Sequence, residues 1–321
     1  MAIVVTGGAG FIGSCIVGML NSYGREDIYI VDNINTTEKW KHIANKKYVA
    51  YIRKNEFLDI LPTLSGQVSH IIHMGACSST TEKDFDYLYK NNFEYTKRLW
   101  EFCTEENISF IYASSAATYG DGEDGFDDML PIDRLRPLNG YGYSKQLFDL
   151  WVEKQTASPK QYVGFKFFNV YGPNEDCKGD MASVIFKAFG QINETSTVKL
   201  FTSHKEGYGD GGQLRDFIYV KDICKVIRFM MDHENISGLF NLGTGKARSF
   251  ADLAKATFAA MGKPENIEYI PMPMHLREKY QYFTQATMDK LRSVGYTDDF
   301  YSLEDGARDY VQNYLIPRKI Y

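Results

Sequence analysis

Ala2-Ile3-Val4-Val5-Thr6-Gly7-Gly8-Ala9-Gly10-Phe11-Ile12-Gly13 reads as a buried apolar strand, a glycine turn and the start of a helix. Gly8, Gly10 and Gly13 fit G-x-G-x-x-G, and Gly7, Gly10 and Gly13 fit the G-x-x-G-x-x-G variant. A tight turn, a backbone pressed close to a pyrophosphate and a helix packed near its strand each exclude a Cβ. The helix N-terminus then offers free N–H groups and a positive dipole end to phosphates. A second apolar run, Ile28 to Val31, ends in Asp32, 19 residues past Gly13. That is where a ribose-binding carboxylate belongs. The alternative, an ordinary turn with a helix cap, does not account for the acid at that spacing.

Composition fits a soluble globular enzyme: 44% hydrophobic and 24% charged over 321 residues, room for one large domain or two. A net charge of −5 gives no reason to expect nucleic acid or an anionic membrane as partner. The five cysteines form no C-x-x-C pair, and the six histidines show no ligand spacing, so no metal is expected. With no leader and no apolar run of membrane length, the expected location is cytoplasmic.

Strands and helices alternate from the glycine turn onward, through strands at Val68–His73, Ile108–Ala113 and Tyr162–Phe168. Alternation predicts an α/β fold: a Rossmann-type doubly wound parallel sheet, followed by a smaller C-terminal substrate-binding α/β domain. The expected division is a dinucleotide-binding domain over 1–168, joined by about 217–245, with 169–216 and 246–321 forming the smaller domain. Ligands of such sheets sit at the carboxyl ends of the strands. The small, polar loop Met74-Gly75-Ala76-Cys77-Ser78 therefore lines the cofactor in this reading. The long helix predicted over about 84–106 carries Asn91 and Asn92. Lys39 is read either as a solvated surface lysine or as a group approaching a 2′-phosphate.

Tyr141 and Lys145 form Tyr-x-x-x-Lys at the start of a predicted helix, sharing one face. An ammonium near a phenol lowers the tyrosine pKa and makes it a usable general base. Tyr143 has no lysine four residues on. The glycine fingerprint, the Ser114-Ser115 strand end and Tyr-x-x-x-Lys some 26 residues after Ser115 together resemble the extended short-chain dehydrogenase/reductase family. Its members act on nucleotide-activated sugars. The resemblance implies that Ser115 orients the reacting hydroxyl, Tyr141 moves its proton, and Lys145 holds the ribose and tunes the tyrosine. Dehydratases of the family usually carry Asp-Glu just after the serine. Here Ala116 and Ala117 stand there, which disfavours dehydration and leaves epimerisation open.

The runs Gly75–Glu82, Tyr112–Gly120, Phe168–Pro173, Phe240–Gly245 and Lys178-Gly179-x-Met181-Ala182-Ser183 look most like the family's epimerases acting at C6 of an ADP-heptose, which supply lipopolysaccharide core. That resemblance implies Lys178 as a second proton-handling residue and a homo-oligomer, a pentamer in well-known members. It implies cofactor contacts from Gly7, Gly10, Phe11, Ile12, Gly13, Asp32, Asn33, Lys39, Lys54, Met74 to Ser78, Asn91, Tyr141, Lys145 and Val170. Substrate contacts are implied for Ser115, Asn169, Lys178, position 180, position 187, Phe201, Thr202, Ser203, His204, Arg215 and Tyr280. Asp180 and Lys187 depart from the pattern, and His204 to Leu214 looks like a glycine-rich insertion. Asp32 favours a free 2′-hydroxyl. Lys39, Arg53, Lys54 and the resemblance favour a 2′-phosphate, so NADP is expected, with NAD as runner-up. The competing readings are a related nucleotide-sugar epimerase or reductase, and a non-catalytic dinucleotide-binding sensor.

Overall fold

The computed structural model describes residues 1–277 and 281–321. Seven parallel strands form the main sheet: β1 (Ala2–Thr6), β2 (Ile28–Asp32), β3 (Ala50–Arg53), β4 (Val68–His73), β5 (Ser109–Ser115), β6 (Gln161–Phe167) and β10 (Gly238–Leu242). Their spatial order is β10-β6-β5-β4-β1-β2-β3. The order reverses between β1 and β4, which opens a crevice at the carboxyl ends of the strands. Three further strands, β7 (Asn169–Tyr171), β9 (Leu214–Tyr219) and β11 (Ala247–Ser249), make a second sheet. β8 (Val198–Phe201) and β12 (Ile267–Ile270) pair in a third.

Alternating side chains on the central strands bury both faces. Ile3, Val5, Ile30, Ile72 and Ile111 enter one core, with the Phe11–Ser22 and Val220–Asp232 helices. Val4, Val31, Ile71 and Phe110 enter the other, against Trp100 and Phe148. Both faces being covered explains why these strands read as continuous apolar runs. The chain returns to the large sheet through β10, which pairs with β6, whereas Phe217 to Tyr219 still belong to β9. The first core continues into Leu253, Tyr296 and Tyr310, so the sheets are separate but the apolar interior is shared.

The helix predicted over 84–106 is interrupted. Phe85–Leu88 and Tyr95–Glu105 are α-helical, and Tyr89–Glu94 between them is a π-turn. The wider turn places Asn92 inside, where its amide bonds both backbone groups of Cys77, N–H at 2.8 Å and C=O at 2.9 Å. It also donates to Ser144 Oγ at 2.9 Å. One side chain thus ties the loop after β4 to the Gly140–Val152 helix.

Beneath the end of β5 lies a buried ion pair, Lys166 Nζ to Asp149 at 3.1 Å. Ser114 donates to the same carboxylate at 2.6 Å, and Lys166 donates to Thr118 Oγ1 at 2.6 Å. Removing one partner of such a pair strands the other charge. Asp149→Ala is expected to lower unfolding free energy by about 3–5 kcal/mol, read from urea denaturation. A loss below about 1 kcal/mol, the worth of an exposed pair, would show that Lys166 finds another partner.

Candidate active site

The crevice is a cavity of ≈ 950 Å³ that runs from Asp32 and Lys54 to Lys178 and Phe250. Its floor is backbone. Gly7 has φ +65°, and a Cβ there would lie 2.7 Å from Gly75 N. A Cβ on Gly13 would collide with the Gly7 carbonyl oxygen. Gly7, Gly10 and Gly13 line the cavity and Gly8 does not, so the second spacing is the operative one. The Phe11–Ser22 helix starts at Gly10 with no side-chain cap and no acidic residue in its first turn. Its N–H groups are left for an anion, and the glycine cradle admits a diphosphate. The residues present therefore fit a dinucleotide. Under the floor, Thr6 Oγ1 bonds His73 Nδ1 at 2.6 Å, and His73 Nε2 bonds Thr96 Oγ1 at 2.9 Å. Thr96 donates to Asn92 O, so Nε2 carries a proton and donates to Thr96. Burial, then the charges of Lys145 and Lys54, hold its pKa well below the ordinary range.

Every residue expected to meet the cofactor lines this cavity, from Gly7 to Val170. Asp32 differs from expectation in its engagement. One carboxylate oxygen accepts Ala9 N–H at 3.0 Å, and the other accepts Asn33 N–H at 2.7 Å and Lys39 Nζ at 2.6 Å. Lys39 answers the charge that was expected to repel a 2′-phosphate. Lys54 bonds Asn91 and lies over the Tyr95 ring at 4.9 Å, and burial lowers its pKa.

Ser115 ends β5, and its Oγ accepts Ala117 N–H at 3.1 Å. Asn139 caps the Gly140–Val152 helix through Gly142 N–H at 2.8 Å, which fixes Tyr141 and Lys145 one turn apart. Tyr141 shares a hydrogen bond with Ser115. The expected lowering of the phenol by Lys145 is not seen: burial raises the Tyr141 pKa, and the Ser115 bond only partly opposes it. The cause is geometric. Lys145 Nζ donates to Ala113 O at 2.8 Å, and burial brings its own pKa down to about 8.

Lys178 sits on the tight turn Glu175–Met181 and donates to Ser78 Oγ at 2.6 Å. Burial lowers its pKa. Asn169 also lines the cavity. Other expected substrate residues lie outside its lining. Asp180 and Lys187 are exposed and bond each other, Lys187 Nζ to Asp180 O at 2.6 Å. Phe201 to Ser203 lead into the 204–214 segment, and His204 Nδ1 bonds Tyr282 OH at 2.8 Å. Arg215 stands one layer back, with its guanidinium 5.7 Å from the Phe250 ring centre and bonded to the Gln281 carbonyl. Phe250 and Gln281 themselves face the cavity. Tyr280 lies outside the described residues. Tyr87, Tyr95 and Phe250 line the cavity without having been singled out; only the Asn91-Asn92 pair hinted at the neighbouring wall. Among the described residues no group of His, Cys, Asp and Glu could hold a metal ion, and no helix is long and apolar enough to cross a membrane.

The model of the NAD dependent epimerase/dehydratase family matches residues 3–243. An ADP-L-glycero-D-manno-heptose-6-epimerase of Fusobacterium nucleatum subsp. nucleatum is 51% identical, covering 99% of this chain and 99% of its own. One from Nitratidesulfovibrio vulgaris (strain DP4) is 53% identical, covering 97% of each. The crystal structure of the Helicobacter pylori ADP-L-glycero-D-manno-heptose-6-epimerase superposes with TM-score 0.81 at 27% identity, covering 97% of this chain and 95% of that one. Thermus thermophilus UDP-glucose 4-epimerase in complex with NAD gives 0.79 at 26%, covering 97% and 98%.

The value near 8 for Lys145 makes a pH prediction. Below it the amine is a cation able to hold an anionic ligand; above it the charge is lost. In nucleotide-stripped protein, the ¹⁵N resonance of Lys145 Nζ is expected to titrate at about 8, well below an ordinary lysine. Nucleotide retention on gel filtration is expected to fall as pH rises through that value. A resonance titrating near 10.5 would overturn the assignment.

Proposed function

The chain belongs to the NAD dependent epimerase/dehydratase family, and we propose that it interconverts ADP-D-glycero-β-D-manno-heptose and ADP-L-glycero-β-D-manno-heptose, with NADP bound. It is an isomerase, and its product supplies lipopolysaccharide core heptose in the cytoplasm. The observation that carries the reading is the convergence of Ser115, Tyr141 and Lys178 on one cavity, from three different elements. The close identity to named heptose epimerases supports the substrate. In this reading the region of 1–168, rejoined after β9, holds the nucleotide, and 169–216 with 246–321 covers the sugar. The chain acts as a homo-oligomer, a pentamer, testable by light scattering.

A dinucleotide held by Gly7, Gly10, Gly13, Asp32 and Lys145 would supply hydride removal and return at the sugar carbon. The protein handles the proton and the geometry. Tyr141, acting as the phenolate, takes the C6″ hydroxyl proton of one epimer while Ser115 holds that oxygen by a hydrogen bond. C6″ is exocyclic, so rotation about C5″–C6″ presents the opposite face of the ketone without release of the nucleotide. The carbonyl oxygen then points away from Tyr141, and Lys178 protonates it from the other wall. Burial that lowers the Lys178 pKa makes it a better proton donor. Ala116 and Ala117 face the same cavity and offer no acid for a leaving hydroxyl. The Lys39–Asp32 bond favours NADP over NAD, because it removes the carboxylate's repulsion of a 2′-phosphate.

Incubation with ADP-D-glycero-β-D-manno-heptose, followed by NMR at C6″, is expected to show both epimers with no net cofactor consumption. No conversion of this sugar, with conversion of a UDP-hexose instead, would favour the related epimerases. Tyr141→Phe and Lys178→Met are each expected to cut turnover by about a hundredfold or more while nucleotide stays bound. A Lys178→Met enzyme at the wild-type rate would show that Tyr141 alone suffices. Mass spectrometry of nucleotide released on denaturation is expected to find NADP; NAD alone would overturn the cofactor choice.

A further inference from the structure

His42 belongs to no group assigned above, yet it is fully buried and touches both ends of the chemistry. Its Nδ1 lies 3.0 Å from the Ala9 carbonyl oxygen, in the glycine turn. Its Nε2 lies 2.8 Å from Asp176 Oδ1, two residues before Lys178. A backbone carbonyl and an ionised carboxylate only accept hydrogen bonds. Both ring nitrogens therefore donate, and the ring is an imidazolium. Burial pulls the His42 pKa down, but the bonds to Asp176 and Cys177 outweigh it and carry it up to about 9. The bond to His42 in turn lowers Asp176.

The turn that carries Lys178 needs such a clamp. Glu175–Met181 is a short irregular turn, kinked at Gly179 with φ 52°. Its start is held by Asn174 Nδ2 to Ser14 Oγ at 2.9 Å and by the buried Glu175, which accepts Ser183 N–H at 2.6 Å. Between those anchors and Lys178, the His42–Asp176 bond is the contact that reaches the main sheet's glycine turn. The segment that carries His42 also carries Lys39, bonded to Asp32, and Asp32 also accepts from Ala9 N–H. Ala9 is thus held through its N–H by the ribose-side acid and through its carbonyl by His42.

We propose that His42 is a positioning residue for Lys178: its ring clamps the turn bearing that lysine onto the glycine turn, setting the distance between the nucleotide cradle and the second proton carrier. The proposal rests on the epimerase reading for its effect on rate, but the clamp itself has its own readout. A misplacement of about 1 Å in a reacting group can cost about a hundredfold in rate.

Asp176 is the cleaner test position, since its side chain is 45% exposed whereas that of His42 is fully buried. In holoenzyme, Asp176→Ala is expected to lower kcat for epimer interconversion by about tenfold or more, with KM for the ADP-heptose and bound nucleotide unchanged. Asp176→Asn keeps an acceptor oxygen and is expected to restore most of the loss. Amide hydrogen exchange over 175–181 is expected to quicken in Asp176→Ala and in His42→Gln, and to stay unchanged over the Gly140–Val152 helix. Wild-type kcat and wild-type exchange in Asp176→Ala would overturn the proposal. So would a loss of the same size in Asp176→Asn. An inactive wild type would sink the epimerase reading instead, and the exchange data then decide the clamp by themselves.

Discussion

The structure depends on the near contact of two backbones where β1 and β4 lie side by side. Gly7, in a left-handed conformation, sits so close to Gly75 that no side chain fits between them. That contact sets the depth of the crevice at the reversal of strand order, and it leaves the uncapped helix at Gly10 facing into it. The Thr6–His73–Thr96 chain braces the contact from below with a neutral imidazole, so no charge competes with a bound anion from that side. A floor made of backbone recognises phosphates by shape and dipole. Which sugar is turned over, and how, falls to side chains delivered from other elements.

Those side chains have an electrostatic peculiarity. Lys54, Lys145 and Lys178 all face the cavity, and burial lowers the pKa of each. Their bonds go to neutral acceptors, the Asn91 amide, the Ala113 carbonyl and the Ser78 hydroxyl. Lys166, equally buried but outside the cavity, is matched by Asp149. Lys39, at the cavity's edge, also has a carboxylate partner, whereas among the described residues Lys54, Lys145 and Lys178 have none in ion-pair contact. A row of desolvated ammonium groups without carboxylate partners is costly. An anionic nucleotide supplies the missing charges, so ligand binding is favoured by a cost the protein has already borne in folding.

Legibility from sequence followed the local character of each feature. The glycine turn, the strand ends and the Tyr-x-x-x-Lys helix are short contiguous runs with a fixed spacing, and all of them meet in the cavity. The proposed sugar side draws on β7, β9 and the segments between them, so its residues depend on packing that no spacing reports. Asp180 and Lys187 turn outward to each other, and Arg215 stops behind Phe250. Helical periodicity also failed where it mattered, because the π-turn at Tyr89–Glu94 buries Asn92 while Asn91 faces the cavity. Charge was harder still. Asp32 was legible as an acid at the ribose position, but its neutralisation by Lys39 depends on how the intervening segment folds. The raised pKa of Tyr141 follows from burial, which a helix-face argument does not contain.

The proposed arrangement of proton carriers separates epimerisation from its neighbouring chemistries on this fold. A dehydration needs an acid beside the leaving hydroxyl, and the positions after Ser115 present only methyl groups. A reduction needs one proton donor, and in the proposed mechanism Tyr141 would provide it. A second buried amine on a different wall adds nothing to either reaction. It becomes useful only if the same oxygen must be reached in two orientations, which is what inversion at an exocyclic carbon demands. Tyr141 stands on a helix packed against the main sheet, and Lys178 on a turn anchored to the glycine loop through His42 and Asp176. Both are thus referenced to the sheet that holds the nucleotide, one through the sheet's side chains and the other through the backbone of the glycine turn. In the proposed mechanism, a ketone swinging between them would stay within reach of one hydride donor throughout. That geometric economy follows from placing two proton carriers on separate elements that share one floor.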